Sequence, residues 1–221
     1  MTSKNQSEWL RARQPEQIEE RRQSILQAAS ALLEEHGLDG TGINAIARQA
    51  EISKANIYRY FESREAILLQ LLLEEHQLWL KSLQRRLKNL KGSKKEEQIA
   101  QAATASLVSR PRYCILLGSL ANVLEQNVGP DTVRAFKREM ASLSEPALAS
   151  LQQAHPGLTL EKGHQFLALL AMTASGIWPH CHPADAVQEV LAEKEFMLFR
   201  FRFQGSLLIA ARGLVREILR D

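Results

Sequence analysis

The chain has 221 residues, 45% of them hydrophobic and 24% charged, the proportions of a globular protein with room for one large domain or two modest ones. That balance excludes a wholly disordered chain, a collagen and a long coiled coil, and 28 Lys and Arg against 25 Asp and Glu leave a formal charge of +3, too small to imply a polyanionic partner by itself. The N-terminus lacks an apolar secretory segment, two cysteines make no disulfide framework, and the longest apolar stretch, the thirteen residues Phe166 to Trp178, is too short to span a bilayer, so a cytoplasmic protein is expected.

Strand patterns are scarce and helix-spaced apolar residues recur throughout, so the predicted fold class is all-α. Residues 1–17 read as a flexible polar arm, which includes Arg11 and Arg13. Ile25, Ala28, Ala29, Leu32 and Leu33 mark one face of a helix that ends at His36-Gly37. Ile43, Ile46, Ala47 and Ala50 repeat that face over two turns, Glu51-Ile52-Ser53 interrupts it, and a short helix is predicted from Lys54 to Phe61 with Ser53 as its cap.

On that short helix Ile57 and Phe61 share the inward face. Ala55, Asn56, Tyr58 and Arg59 point outward, flanked by Lys54 and Tyr60. Arg and Asn form bidentate bonds to guanine and adenine edges, Tyr and Lys suit phosphate oxygens, and a small Ala permits close approach of the backbone. Two short helices joined by a three-residue turn, the second polar and basic outward, are the pattern of a helix-turn-helix.

From Gly37 through Ile43-Asn-Ala-Ile46-Ala47, Ala50-Glu-Ile-Ser-Lys-Ala-Asn-Ile-Tyr58-Arg-Tyr60-Phe61 and Arg64-Glu65-Ala-Ile67-Leu68, the chain resembles the DNA-binding domain of the TetR family of bacterial transcriptional regulators. The resemblance implies that Lys54, Ala55, Asn56 and Arg59 face bases and that Tyr58, Tyr60 and Arg64 hold phosphates, with Thr41, Gly42 and Arg48 completing the DNA-binding set. Three positions depart from the family habit: Gly42 in place of Ser or Thr, Glu51 in place of Gly, and Arg64 in place of Lys. For the start of the second helix either Gly42 or Thr41 is the expected cap. Residues 1–64 hold nine basic and nine acidic side chains, whereas Arg48 to Arg64 holds four against two, so the positive charge is local.

After Arg64 an amphipathic run continues to about Leu90, followed by a linker at Lys91-Gly92-Ser93. Pro111, Pro130, Pro156 and Pro179 then punctuate predicted helices at Lys94–Ser109, Arg112–Asn127, Asp131–Ala154, Leu160–Trp178 and Asp185–Arg220. Arg112–Asn127 is apolar on most sides and is expected in the middle of a bundle, and the alternating run Phe199 to Phe203 is expected to be helical. The basic run Lys81, Arg85, Arg86, Lys88, Lys91, Lys94, Lys95 reads as a solvated helix end. His180-Cys181-His182 reads as a helix connection and Cys114 and Cys181 as inert thiols, so no metal and no cofactor are expected, and no catalytic motif is found.

The expected organisation is the arm 1–17, a DNA-binding domain 18–64 and an effector-binding and dimerisation domain 65–221. The resemblance implies a small-molecule effector between the C-terminal helices, with Tyr113, Leu117, Asn122, Phe166, Met172 and Trp178 as candidate walls. Small residues at Ala168, Ala171, Ala174 and Gly176 and at Gly205, Ala210, Ala211 and Gly213 point to close helix packing, and a two-fold homodimer interface from these two segments is expected. The predicted function is a repressor that leaves a palindromic double-stranded operator when a small molecule binds. The alternative is a helical small-molecule binding or scaffold protein that does not bind DNA.

Overall fold

A computed structural model describes residues 3–90, 93 and 95–220, with side chains described from Glu16 onward. The side chains of Arg11 and Arg13, and Lys91, Gly92 and Lys94, therefore lie outside the described residues. Every regular element among the described residues is helical: α1 (Ser3–Gly40), α2 (Ile43–Gln49), α3 (Lys54–Ile57), α4 (Arg64–Leu87), α5 (Lys95–Val108), α6 (Pro111–Gly118), a π-helical turn (Leu120–Leu124), α7 (Pro130–Ala154), α8 (Leu160–Cys181), α9 (Asp185–Leu191), a 3-10 segment (Lys194–Phe199) and α10 (Phe203–Arg220). The chain divides into two compact units, Met1–Leu71 with Val123–Val133, and Leu72–Asn122 with Arg134–Asp221. The division thus falls inside α4 rather than at Arg64, and a segment far along the chain joins the first unit.

In the first unit the stripe Ile25, Ala28, Ala29, Leu32 and Leu33 is buried, as are Ile46, Ala47, Ile57, Phe61, Ile67 and Leu68, and α1 packs on α2, which packs on α3. Each large aliphatic side chain removed from water here contributes about 1.5–3 kcal/mol, which holds helices as short as α2 and α3 that could not persist alone. Gly37 sits at φ 66, so the helical path of α1 breaks at the expected stop. The unit also takes in the start of α7: a hydrogen bond from Thr132, and then one from the Gly129 amide at 3.2 Å, hold the Glu62 carboxyl below its ordinary pKa range.

In the second unit α5 buries one whole face, Ile99, Ala100, Ala102, Ala103, Thr104, Ser106 and Leu107, and α10 packs on α5 and α8 through Phe203, Leu207, Ala211, Val215 and Ile218. The helix expected from Arg112 to Asn127 ends at Gly118 and gives way to the π turn. Glycine weakens the helix there, and the Ser119 hydroxyl bonds back to the Ile115 carbonyl at 3.2 Å, which competes with regular continuation. The single helix expected over Asp185–Arg220 is also not formed. Arg200 donates to the carbonyls of Leu191 and Glu193, satisfying the end of α9, and the chain turns through Arg200–Arg202 before α10 begins at Phe203. The Phe199–Phe203 run is therefore neither a strand nor one helix.

Trp79 and Tyr113 stack at 5.2 Å in the centre of this unit, and the Trp79 indole donates to Ser106 Oγ at 2.9 Å. Burial pushes the Tyr113 phenol far up, so it stays protonated and donates to His76 Nδ1 at 2.9 Å, which leaves His76 Nε2 to donate to Ser144 Oγ at 3.1 Å. Burial also lowers the pKa of His76 from 6.5 to about 4. Below pH 6.5 the unfolded chain takes a proton that folded His76 refuses, so stability falls as pH drops from about 6.5 to 4, by roughly 3 kcal/mol for this group. Urea titrations at pH 7 and pH 4.5 are expected to show a smaller loss in His76→Gln than in the wild type; equal losses would contradict this.

Candidate nucleic-acid interface

The surface assembles from α2, the turn after it and α3. Ile57 is fully buried and Phe61 nearly so, which fixes the roll of the short helix about its axis. Ser53 caps it, its hydroxyl accepting from the Asn56 amide at 3.2 Å, and backbone bonds extend past Ile57, with Tyr60 and Phe61 both donating to the Ile57 carbonyl. The helical path thus reaches Phe61 even though regular α-helix ends at Ile57.

With that roll, Lys54, Ala55, Asn56, Tyr58 and Arg59 are all exposed together, and Tyr60 is half-buried beside them. Arg48 is exposed in the last turn of α2, and Gly42, at φ −79, is the residue that caps α2. Amide, guanidinium, ammonium and phenol groups are therefore all open to solvent on the side away from Ile57 and Phe61, and Asn56 and Arg59 have no side-chain partner that would hold them back from a base edge. Tyr60 is steadied from behind. Arg22 donates to its carbonyl at 3.4 Å while the guanidinium lies 4.6 Å over the Phe61 ring.

Two of the expected DNA contacts are taken up by the scaffold instead. Thr41 is fully buried and its hydroxyl donates to the Gly37 carbonyl at 2.7 Å, closing the kink at the end of α1. Arg64 donates through Nε to the Thr41 carbonyl at 2.7 Å and through Nη2 to the Leu38 carbonyl. A bidentate guanidinium suits two adjacent carbonyls where a lysine would supply one point contact, which accounts for Arg at this position. Arg21 was not among the expected contacts, yet with Gln17, Glu20, Ser24, Arg59 and Tyr60 it lines an open groove of about 870 Å³. Its position, one turn before Ile25 and outside the apolar stripe, is the trace of this in the sequence.

Glu51 is the one non-glycine residue with positive φ among the described residues, at φ 55. A side chain there costs about 1–2 kcal/mol, against roughly 0.5–1 kcal/mol of extra unfolded-state entropy for glycine. Glu51→Gly is therefore expected to stabilise the protein by about 0.5–1 kcal/mol and raise the thermal midpoint by a few degrees, whereas Glu51→Gln, which keeps the strained backbone, should not. Equal midpoints for all three proteins would contradict the reading.

The candidate effector wall does not come together in the same way. Tyr113 and Phe166 are fully buried and Leu117 and Trp178 half-buried, but Asn122 is exposed on the π turn and Met172 is 66% exposed on α8, so neither of the last two lines an interior. Trp178 stacks on His182 at 3.7 Å, and His182 Nδ1 lies 3.0 Å from the Trp178 carbonyl, making His180-Cys181-His182 the end of α8. No group of three or more His, Cys, Asp or Glu that could hold a metal occurs among the described residues. Burial pushes the Cys114 thiol up to about 12, far from a reactive thiolate.

Comparison with known proteins gives the family and the fold. Residues 25–71 match the family described as bacterial regulatory proteins, tetR family, and residues 73–215 match the tetracyclin repressor-like C-terminal domain. The chain is 43% identical over 61 residues to an HTH-type transcriptional regulator of Mycobacterium tuberculosis and 44% identical over 54 residues to the HTH-type transcriptional regulator HbdR of Aromatoleum sp. (strain CIB). These stretches cover 28% and 24% of this chain and 29% and 24% of the relatives, so the likeness spans less than a third of either one. A TetR-family transcriptional regulator of Mesorhizobium loti shares the fold, with a TM-score of 0.54 and 18% identity over 92% of this chain and 96% of that one.

Proposed function

Because the chain belongs to the TetR family of bacterial regulatory proteins, we propose that it acts in the cytoplasm as a homodimeric repressor that binds a palindromic operator and leaves it when a small molecule binds the C-terminal unit. The observation that carries the DNA-binding part is the exposure of Asn56 and Arg59 on a helix whose roll is fixed by buried Ile57 and Phe61. Asn56 and Arg59, with Lys54 and Ala55, enter the major groove; Tyr58, Tyr60 and Arg48 hold phosphates, and the Gly42 amide at the start of α2 is a further backbone donor.

The exposed faces of α8 and α10 support the homodimer. Met172 and Ile209 are 66% and 71% exposed, and a Cβ added at Gly176, Gly205 or Gly213 would meet nothing within 4 Å. Nothing within one chain calls for glycine at these places, whereas a second pair of helices packed closely against them would. Ala174 and Ala211 are fully buried within the chain, so the small residues divide between packing inside one protomer and packing across the two-fold. For the effector, the interior of the second unit offers Tyr113 and Phe166 as walls and the Tyr113–His76–Ser144 chain as a polar handle.

Gel-shift with the DNA upstream of its own coding sequence tests the reading. A discrete complex that survives excess random DNA and weakens steeply with salt is expected. Binding no tighter than to random DNA would remove it and favour a helical ligand-binding or scaffold protein.

A further inference from the structure

Between α8 and α10 the chain makes an excursion that is ordered yet uncovered. Neither α9 nor the 3-10 segment has a single buried residue, and the two pack on each other, tied by Arg200 to the Leu191 and Glu193 carbonyls. A seven-residue helix does not hold itself in water. The side chains that ought to anchor it point away from the chain: Val187, Val190, Met197, Leu198, Phe199 and Phe201 are 45–88% exposed, Leu198 the most. Together these residues expose on the order of 700 Å², near the ~800 Å² that each partner contributes to a standard interface.

We propose that Asp185–Arg202 is a strap that crosses the two-fold and lies on a second copy of this chain; the proposal rests on the homodimer reading above and adds to it a region outside the α8 and α10 helices. The place of the excursion carries the choice of occupant. It is inserted in the chain between α8 and α10, the two helices whose exposed glycine faces support the dimer, so both of its ends are anchored in helices of that proposed interface and its apolar side chains would extend it. A membrane is the poorer occupant. The segment holds four acids (Asp185, Glu189, Glu193, Glu195) against three bases (Lys194, Arg200, Arg202), whereas helices that lie on lipid carry a basic polar face.

The test uses the full-length protein in two forms. In Leu198→Glu with Phe199→Glu, sedimentation equilibrium should show a dimer dissociation constant raised by roughly 100-fold or more, with the helical circular dichroism kept. In a second form, a benzophenone amino acid replaces Leu198 alone, and irradiation should give a covalent dimer whose adduct maps to the other copy. A wild-type dimer whose dissociation constant does not move in the double variant overturns the strap and leaves the dimer standing. So do adducts confined to the same chain, or a segment that drives co-sedimentation with phosphatidylglycerol vesicles. A wild-type chain that is monomeric at micromolar concentration overturns the strap and the homodimer together. If the double variant does not fold, the benzophenone form decides alone.

Discussion

Asn56→Ala should weaken binding to the operator by about 1–3 kcal/mol, from several-fold to more than a hundredfold, and leave binding to random DNA nearly unchanged. The asymmetry follows from where the amide sits. Asn56 is exposed, its backbone is held by the Ser53 hydroxyl at 3.2 Å, and it neighbours Ile57, which is fully buried, so truncation at Cβ removes a hydrogen-bonding group without disturbing a core. Arg59→Ala should behave likewise, with a smaller salt dependence because a cation is lost as well. Tyr60→Phe is the contrasting case: the proposal gives its hydroxyl a phosphate to hold, so binding to all sequences should weaken alike. Competition titrations by fluorescence anisotropy distinguish these patterns, and equal losses on operator and random DNA for Asn56→Ala would remove its role as a base reader.

Ile209→Glu should dissociate the dimer and with it abolish tight operator binding, while the single chain stays folded. Ile209 is 71% exposed on α10, so in a monomer the substitution replaces an apolar surface residue with a charged one and costs little. In a two-fold interface it buries two unpaired carboxylates, at about 3–5 kcal/mol each. The two situations differ by several orders of magnitude in the dissociation constant. Sedimentation equilibrium on the wild type and the variant reads it directly, and a variant that remains dimeric at micromolar concentration would move the interface away from α10.

The exposure of Lys54, Ala55, Asn56, Tyr58 and Arg59 is legible in the sequence because it follows from one spacing: Ile57 and Phe61 four apart fix the inward side, and the residues around them turn outward. Ser53 as cap is legible for the same local reason. The placements of Thr41 and Arg64 are not legible: Thr41 is buried and turns its hydroxyl back to the Gly37 carbonyl at the kink, and Arg64 reaches the carbonyls of Leu38 and Thr41 more than twenty residues away. Glu51 is recognisable as a departure from the family pattern, but only the backbone at φ 55 shows why glycine suits that turn.

The second unit is read less well wherever burial depends on small residues. α5 buries a whole face through Ala100, Ala102, Ala103 and Ser106, a composition that looks weakly apolar, while the richly apolar Arg112–Asn127 run is cut short by Gly118. The break inside Asp185–Arg220 is set by a side chain, Arg200, reaching backbone carbonyls seven and nine residues away, and no periodicity announces such a tie. The expected wall residues Asn122 and Met172 fail for a related reason: apolar or amide character is visible in the sequence, but the direction in which a helix presents it is not.

The central claim is that the outward face of α3 reads base edges from two symmetry-related copies. Selection of bound duplexes from a random library, by the wild type and by Asn56→Ala in parallel, tests it most directly. The wild type should enrich an inverted repeat whose half-sites are centred about one helical turn, ~10 bp, apart, and Asn56→Ala should lose its preference at one symmetric pair of positions while keeping the rest. Enrichment of no inverted repeat, or the same repeat undiminished at every position in the variant, would contradict it.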